Sequence, residues 1–202
     1  MLWIVFEGPD GVGKTTIIEK VATALREQGY RVYTTAEPTE SKIGNLIRTW
    51  LLKEKVEPPH VYALLFTADR YLHVYGDVLE KLQRGYIVLQ ERYIESTIVY
   101  QSAMGLDCRW LEELNRYLPQ PDLTIVLDVD PEELVNRISK RYKQREIFEI
   151  KEFLKKVREL YLIRSKLRNY ILIDASDIEK TYTLILDIIL KNIRNRVPQQ
   201  AH

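Results

Sequence analysis

Cysteine is nearly absent from this chain, and so is any long apolar run. Among 202 residues there is one cysteine, Cys108, so no disulfide can close within the chain. That composition suits a reducing compartment and predicts a cytoplasmic location, with Cys108 a packing residue rather than a nucleophile. No apolar stretch approaches the ~20 residues that a membrane span needs. No signal-peptide pattern precedes the strand-like run at the start. An excess of charge is missing too. Lys and Arg number 30, Asp and Glu 29, and the net charge of +1 gives no global reason to expect nucleic acid as a partner. Internal repeats and low-complexity stretches are also lacking. What is there is 46% hydrophobic and 29% charged, the composition of a globular protein, at a length suited to one sizeable core. A single domain over 1–202 is expected, with a tail, 194–202, that frays.

Glycine is sparse, at 8 residues, yet three fall between positions 8 and 13. The run Gly8-Pro9-Asp10-Gly11-Val12-Gly13-Lys14-Thr15, followed by Thr16, fits a phosphate-binding loop. Its glycines let successive backbone N–H groups turn toward one point, a nest for an anion. The next helix adds its positive N-terminal end. Lys14 is then placed to bridge the outer phosphates and the Thr15 hydroxyl to hold Mg²⁺. Context supports this. Leu2-Trp3-Ile4-Val5-Phe6 reads as a buried parallel strand. Ile17, Ile18, Val21, Ala22 and Leu25 recur at helical spacing up to a stop at Gly29.

The same alternation continues. Strands are expected at 30–36, 86–90, 123–127 and 170–173. Helices are expected after Ser41 as cap, over 60–83, in stretches to about 118, from Asp130-Pro131, over 150–168 and over 177–193. Strands alternating with helices predict a five-stranded parallel sheet covered on both faces, with right-handed crossovers. Ligands gather at the C-terminal ends of such strands. The phosphate loop, Glu37 and Glu91-Arg92 all fall at that edge. Glu91 is placed to support the metal through water, or else to pair with Arg92. Arg92 suits a phosphate oxygen pair, since a guanidinium fork matches it. Arg70 lies mid-helix, where a solvated or acid-paired Arg is the plainer reading. Arg137, Lys140, Arg141, Lys143 and Arg145 crowd cations into a short basic lid, about 137–149.

Taken in order, these segments resemble the thymidylate kinases, a family of P-loop nucleoside monophosphate kinases, and the resemblance spans nearly the whole chain. It rests on Phe6-Glu7-Gly8 through Thr16, Glu37-Pro38, Leu65-Phe66-Thr67-Ala68-Asp69-Arg70, Glu91-Arg92-Tyr93 with Ser96-Thr97 and Tyr100-Gln101, Leu127 to Pro131, and Val157 to Tyr161. The resemblance implies a three-layer P-loop NTPase fold and direct transfer of the γ-phosphoryl group of ATP to dTMP, with Mg²⁺. It implies that Arg70 and Arg92 hold the dTMP phosphate and that Phe66 stacks on thymine. It puts Thr97 at the base-contacting position, with Tyr100 under the deoxyribose. Asp10 would reach the sugar hydroxyl or the metal shell. Adenine would lie between the lid helix and the loop near Ala175 and Ser176. Family members are commonly homodimers packed through helices, and the apolar breadth of 60–83 suits that.

The chain departs from the family pattern at several points. Glu91 stands where Asp is usual, moving the charge by about a C–C bond, ~1.5 Å. Ala36 replaces an Arg often found before Glu-Pro, and Thr39-Glu40-Ser41 replaces a Gly-rich turn. The lid is short, with an imperfect Asp-Arg-aromatic-Glu run at 144–149. Gly11 occupies the position where some members carry a loop Arg, so Arg141 or Arg145 is expected to swing in as the lid closes. Replacing either by Ala should then lower turnover far more than donor affinity. Two other functions fit parts of the pattern. A nucleoside kinase would use Glu37 as base on a neutral hydroxyl, but gives Arg70 no phosphate. A nucleotide-binding switch or assembly protein would need a γ-phosphate sensor, and none is obvious beyond the lid.

Overall fold

The computed structural model describes residues 1–54, 58–138 and 144–196. Its elements in chain order are β1 (Leu2–Glu7), α1 (Lys14–Glu27), β2 (Val32–Ala36), α2 (Lys42–Leu46), α3 (His60–His73), α4 (Leu79–Gln83), β3 (Ile87–Glu91), α5 (Ile94–Ala103), α6 (Cys108–Asn115), β4 (Leu123–Asp128), α7 (Pro131–Ile138), α8 (Gln144–Arg168), β5 (Ile171–Asp174) and α9 (Ile178–Arg196). The five strands form one parallel sheet in the order β2-β3-β1-β4-β5.

Strand β1 is central and buried along its whole length. Its side chains alternate, as the pleat requires. Leu2, Ile4 and Phe6 pack with Ile17, Val21 and Leu25 of α1 and Ile185 and Ile189 of α9. Trp3 and Val5 face the opposite layer, with Ala63 of α3, Ile94 and Ile98 of α5, and Leu111 of α6. Helices on both faces thus follow from a strand that is apolar from Leu2 to Phe6, and the expected three-layer α/β fold is what forms. Register pairs Phe6 with Glu91 and Ala36 with Glu91, so the C-terminal ends of three strands finish level.

Details differ from the periodicity. The helix expected over 60–83 is continuous but passes through π-helical geometry at Val74–Val78, around Gly76. A second π-helical turn, Ile47–Leu51, extends α2. Ser41 does cap α2, accepting from the Gly44 N–H at 3.0 Å. Helix α8 begins at Gln144, not near 150, so the second half of the expected lid is helical. Its Gln-Arg-Glu-Ile-Phe-Glu run lacks Gly and Pro and holds good helix formers. Arg141 and the side chain of Arg145 lie outside the described residues.

Helix α8 is fastened to α5 and α6 through charge. Arg164, 5% exposed, grips Glu95 with two hydrogen bonds of 2.7 and 2.8 Å and reaches Glu112 at 2.6 Å. The Tyr170 hydroxyl adds a bond of 2.9 Å to Glu95. Removing one partner strands a buried charge. Arg164→Met is therefore expected to cost about 3 kcal/mol of folding stability, measured as the shift of the denaturant midpoint. A loss under ~1 kcal/mol would mean the pair is not desolvated as described.

Candidate active site

Three glycines of the loop between β1 and α1 hold positive φ: Gly8 at 132°, Gly11 at 81° and Gly13 at 100°. At Gly8 a Cβ would also come within 2.4 Å of the Leu127 carbonyl oxygen, so the loop lies directly on β4. No side chain caps α1 at Gly13, leaving its first N–H groups free of side-chain acceptors. The Lys14 ammonium is buried and donates to the Gly8 and Pro9 carbonyls at 3.0 and 2.8 Å. The Thr15 hydroxyl donates to Glu91 Oε2 at 2.7 Å, joining the loop to the end of β3.

Burial, and next the Arg92 charge, push the Lys14 pKa down to about 7, against the pull of Asp10 and Glu91. A polyphosphate beside the amine favours its ammonium form, so binding there takes up a proton above pH 7. Nucleotide affinity therefore falls as pH rises from about 7 toward 9, by up to about tenfold per unit. Calorimetry in buffers of different ionisation enthalpy, at pH 8, should register proton uptake approaching one per nucleotide. No uptake would place the Lys14 pKa at its ordinary value.

Arg92 comes just after β3 in the left-handed region, φ 66°, unusual for a residue with a Cβ. Its N–H bonds the Phe6 carbonyl at 2.9 Å, and its own carbonyl accepts from Gln90 Nε2 at 2.9 Å. Those two bonds fix the turn. The guanidinium donates to Ser96 Oγ at 2.9 Å, pairs with the Asp10 carboxylate, and lies 5.2 Å from the Tyr100 ring centre. The Tyr100 hydroxyl donates to Asp10 Oδ2 at 2.9 Å and accepts from the Asp10 N–H at 3.0 Å. Burial raises the Asp10 pKa, but Arg92 and Lys14 outweigh it and hold the carboxyl below its usual range.

Asp10, Glu37, Phe66, Arg70, Arg92, Thr97 and Tyr100, the seven residues expected around an acceptor, all line one cavity of about 310 Å³. Their roles within it are not alike. Arg70 is 1% exposed and engaged on three atoms: Nε to Glu37 at 2.8 Å, Nη1 to Asn115 at 2.9 Å and Nη2 to Thr97 at 3.0 Å. Glu37 is equally engaged. Its other oxygen meets His73 Nδ1 and Gln90 Nε2, each at 3.1 Å. It is a wall residue that aims Arg70, and not a base free to act on a hydroxyl. Asp69 accepts from the Thr39 N–H and hydroxyl and from the Ser41 hydroxyl, at 2.7, 2.6 and 2.6 Å, pinning the loop that replaces the family's Gly-rich turn.

Spacing alone does not single out His73, Gln90, Asn115 or Asp69. Asn115 comes from α6, far along the chain, and nothing in its neighbourhood marks it. Asp69 has a signal: it adjoins Arg70 and is the one acid of α3. Gln101 and Ser96, which belong to the Glu91-to-Gln101 motif, also line the cavity, as does Phe153 of α8.

A parallel sheet with an anion-binding loop at its central strand, and a cavity beside it, defines a P-loop phosphotransferase. The two compartments meet at the Asp10–Arg92 pair. The thymidylate kinase family model matches residues 6–183. A "Probable thymidylate kinase" of Pyrobaculum calidifontis is 44% identical over 197 residues, 96% of this chain and 100% of that protein. Another, of Pyrobaculum aerophilum, is 46% identical over 176 residues, 87% of this chain and 89% of that protein. A third, of Methanosphaera stadtmanae, is 39% identical over 201 residues, 97% of each. This chain belongs to the thymidylate kinase family. Among the described residues, no helix is long and apolar enough to cross a membrane.

Proposed function

We propose that this enzyme moves the γ-phosphoryl group of ATP onto the phosphate of dTMP, with the donor in the Gly8–Thr16 loop and the acceptor in the cavity beside it. The single observation that carries the reading is that all seven expected acceptor residues line that cavity. The donor phosphates draw on the loop N–H groups, the α1 N-terminus and Lys14. Thr15 and Glu91 offer hydroxyl and carboxylate oxygens, the hard donors that Mg²⁺ prefers, and their 2.7 Å contact puts them at one point. No three His, Cys, Asp or Glu side chains converge as a metal cluster among the described residues, which suits an ion held largely by phosphate and water oxygens. Mg²⁺ bound there neutralises phosphate charge.

The acceptor phosphate falls to Arg92, whose fork already binds one carboxylate, that of Asp10. Arg70, which the resemblance puts on the phosphate with Arg92, suits instead the other end of the nucleotide. It is neutralised by Glu37, is bonded to Thr97, and keeps one further N–H on each Nη for a base carbonyl. Gln101 Oε1 is buried without a hydrogen-bond partner and belongs to the same lining, so it matches the N3–H of thymine. Phe66 supplies the stacking face, Tyr100 the contact with the sugar. Asp10, released from Arg92 by the incoming phosphate, turns to the sugar hydroxyl or the metal shell. Arg141 or Arg145 neutralises charge that Gly11 has no means to meet. The acceptor oxygen attacks in line, so no phosphoenzyme forms, and catalysis is positioning and charge neutralisation.

We further place the reaction in the cytoplasm and in a homodimer. Leu64 and Leu72 of α3, and Tyr75 just after it, are 51%, 57% and 56% exposed, an apolar face suited to a second copy. A panel of nucleoside monophosphates and thymidine with Mg-ATP tests the activity. The expected product is dTDP from dTMP; transfer to thymidine alone would favour a nucleoside kinase, and tight ATP binding with no transfer a switch protein.

A further inference from the structure

Glu7, the last residue of β1, is a carboxylate buried completely beneath the two compartments. It is outside the cavity lining and within the phosphate-loop motif has no assigned part. Four donors converge on it. Oε1 accepts from the Tyr93 N–H at 2.8 Å and the Ser96 N–H at 3.2 Å. Oε2 accepts from the Ser96 hydroxyl at 2.6 Å and the Tyr161 hydroxyl at 3.0 Å. The two backbone donors belong to the residue before α5 and its first turn, so Glu7 sits at the positive end of that helix. Burial is the largest influence on Glu7 and raises its pKa, while the Ser96 bond and the Arg92 charge pull the other way.

The proton on Ser96 sets the direction of the whole chain of bonds. A hydroxyl has one proton to give. At 2.6 Å the carboxylate claims it, while Tyr161 stands at 3.2 Å from Ser96 Oγ. The Ser96 lone pairs are thereby left to receive, and Arg92 Nη1 donates to them at 2.9 Å. Arg92's other bond is to Asp10, a side chain 67% exposed that must let go when a phosphate arrives. Ser96 is then the anchor that stays. Tyr161 carries the same junction to α8, the helix that begins in the lid.

We propose that Glu7 is a positioning residue for the acceptor phosphate: it fixes the Ser96 hydroxyl as an acceptor and so holds the Arg92 guanidinium at the cavity. This rests on the reading of Arg92 as the phosphate ligand. Glu7→Gln keeps size and can still accept from the backbone, but presents an NH₂ group or a neutral oxygen to Ser96. It is expected to lower kcat/KM for dTMP about 30-fold while the ATP dissociation constant stays within about twofold, because a misplaced guanidinium touches acceptor and transfer only. Ser96→Ala should give a similar loss, and Glu7→Gln with Ser96→Ala no more than the worse of the two. In an Arg92→Lys background, Glu7→Gln should change kcat/KM by under about threefold.

Losses that multiply in the double variant, an undiminished effect in the Arg92→Lys background, or a parallel fall in ATP affinity would overturn the proposal. Tyr161→Phe, which removes one bond and keeps the ring, serves where Glu7→Gln does not fold. The expected result is a selective fall of about threefold in kcat/KM for dTMP, and no change would count against the proposal. A wild-type enzyme that does not phosphorylate dTMP would sink the underlying function instead, whereas a wrong role for Glu7 leaves wild-type turnover intact and the cycle additive.

Discussion

Replacing Arg92 by alanine is expected to lower kcat/KM for dTMP by about a thousandfold and to leave the ATP dissociation constant within about threefold. The split between the two substrates is the informative part. Arg92 enters the acceptor cavity from a turn fixed by bonds to Phe6 and Gln90, so its position is set by the sheet and not by a bound nucleotide. Two charge-assisted bonds from its fork are worth ~1.5–3 kcal/mol each, which supports a loss of that size. Lysine at the same place keeps the charge but not the fork, and should recover only about tenfold. Steady-state kinetics with each substrate varied, alongside direct ATP binding, checks this. Equal losses for both substrates would show a collapse of the whole edge.

Lys14→Met is the second large effect, a fall in kcat of about a thousandfold with weaker ATP binding. Here the loss falls on the donor side. The ammonium donates to the Gly8 and Pro9 carbonyls, so the substitution removes two bonds that shape the loop as well as a charge. Arginine should not rescue it, because a guanidinium is too large for a site this buried. The test is single-turnover transfer with saturating ATP, which separates chemistry from binding. Retained transfer at saturation would confine Lys14 to binding.

The features that spacing reveals and those it hides have a common physical reason. The strands are legible because a strand buried on both faces must be apolar throughout, as Leu2 to Phe6 is. The phosphate loop is legible because its glycines adopt φ values that other residues rarely do. The acceptor residues can be named because their motifs run in order along the chain. Contacts between distant segments are not legible. Glu37 reads as one of the residues around the acceptor, but the division of its carboxylate among Arg70, His73 and Gln90 is not visible in the sequence. Asn115 contributes its side-chain oxygen to a network built from other elements, and nothing local marks it; Tyr161 lies in a recognised segment, but its bond to Glu7 is not visible there. The start of α8 is hidden because a basic, charged run reads equally as a solvated hairpin and as a helix. The π-helical turns have no periodic signature short enough to detect.

Glu91 illustrates a substitution the fold absorbs. Its longer side chain still meets the Thr15 hydroxyl, at 2.7 Å, from the end of β3. The charge remains beside the loop.

In the proposed function, acceptor selection turns on a cation that reads phosphate. The dissociation constants of dTMP and thymidine, measured by calorimetry for the wild type and for Arg92→Ala, test it most directly. The wild type should bind dTMP at least about 100-fold more tightly than thymidine, and Arg92→Ala should close most of that gap by weakening dTMP alone. A gap that survives in Arg92→Ala, or equal binding of both ligands by the wild type, would contradict it.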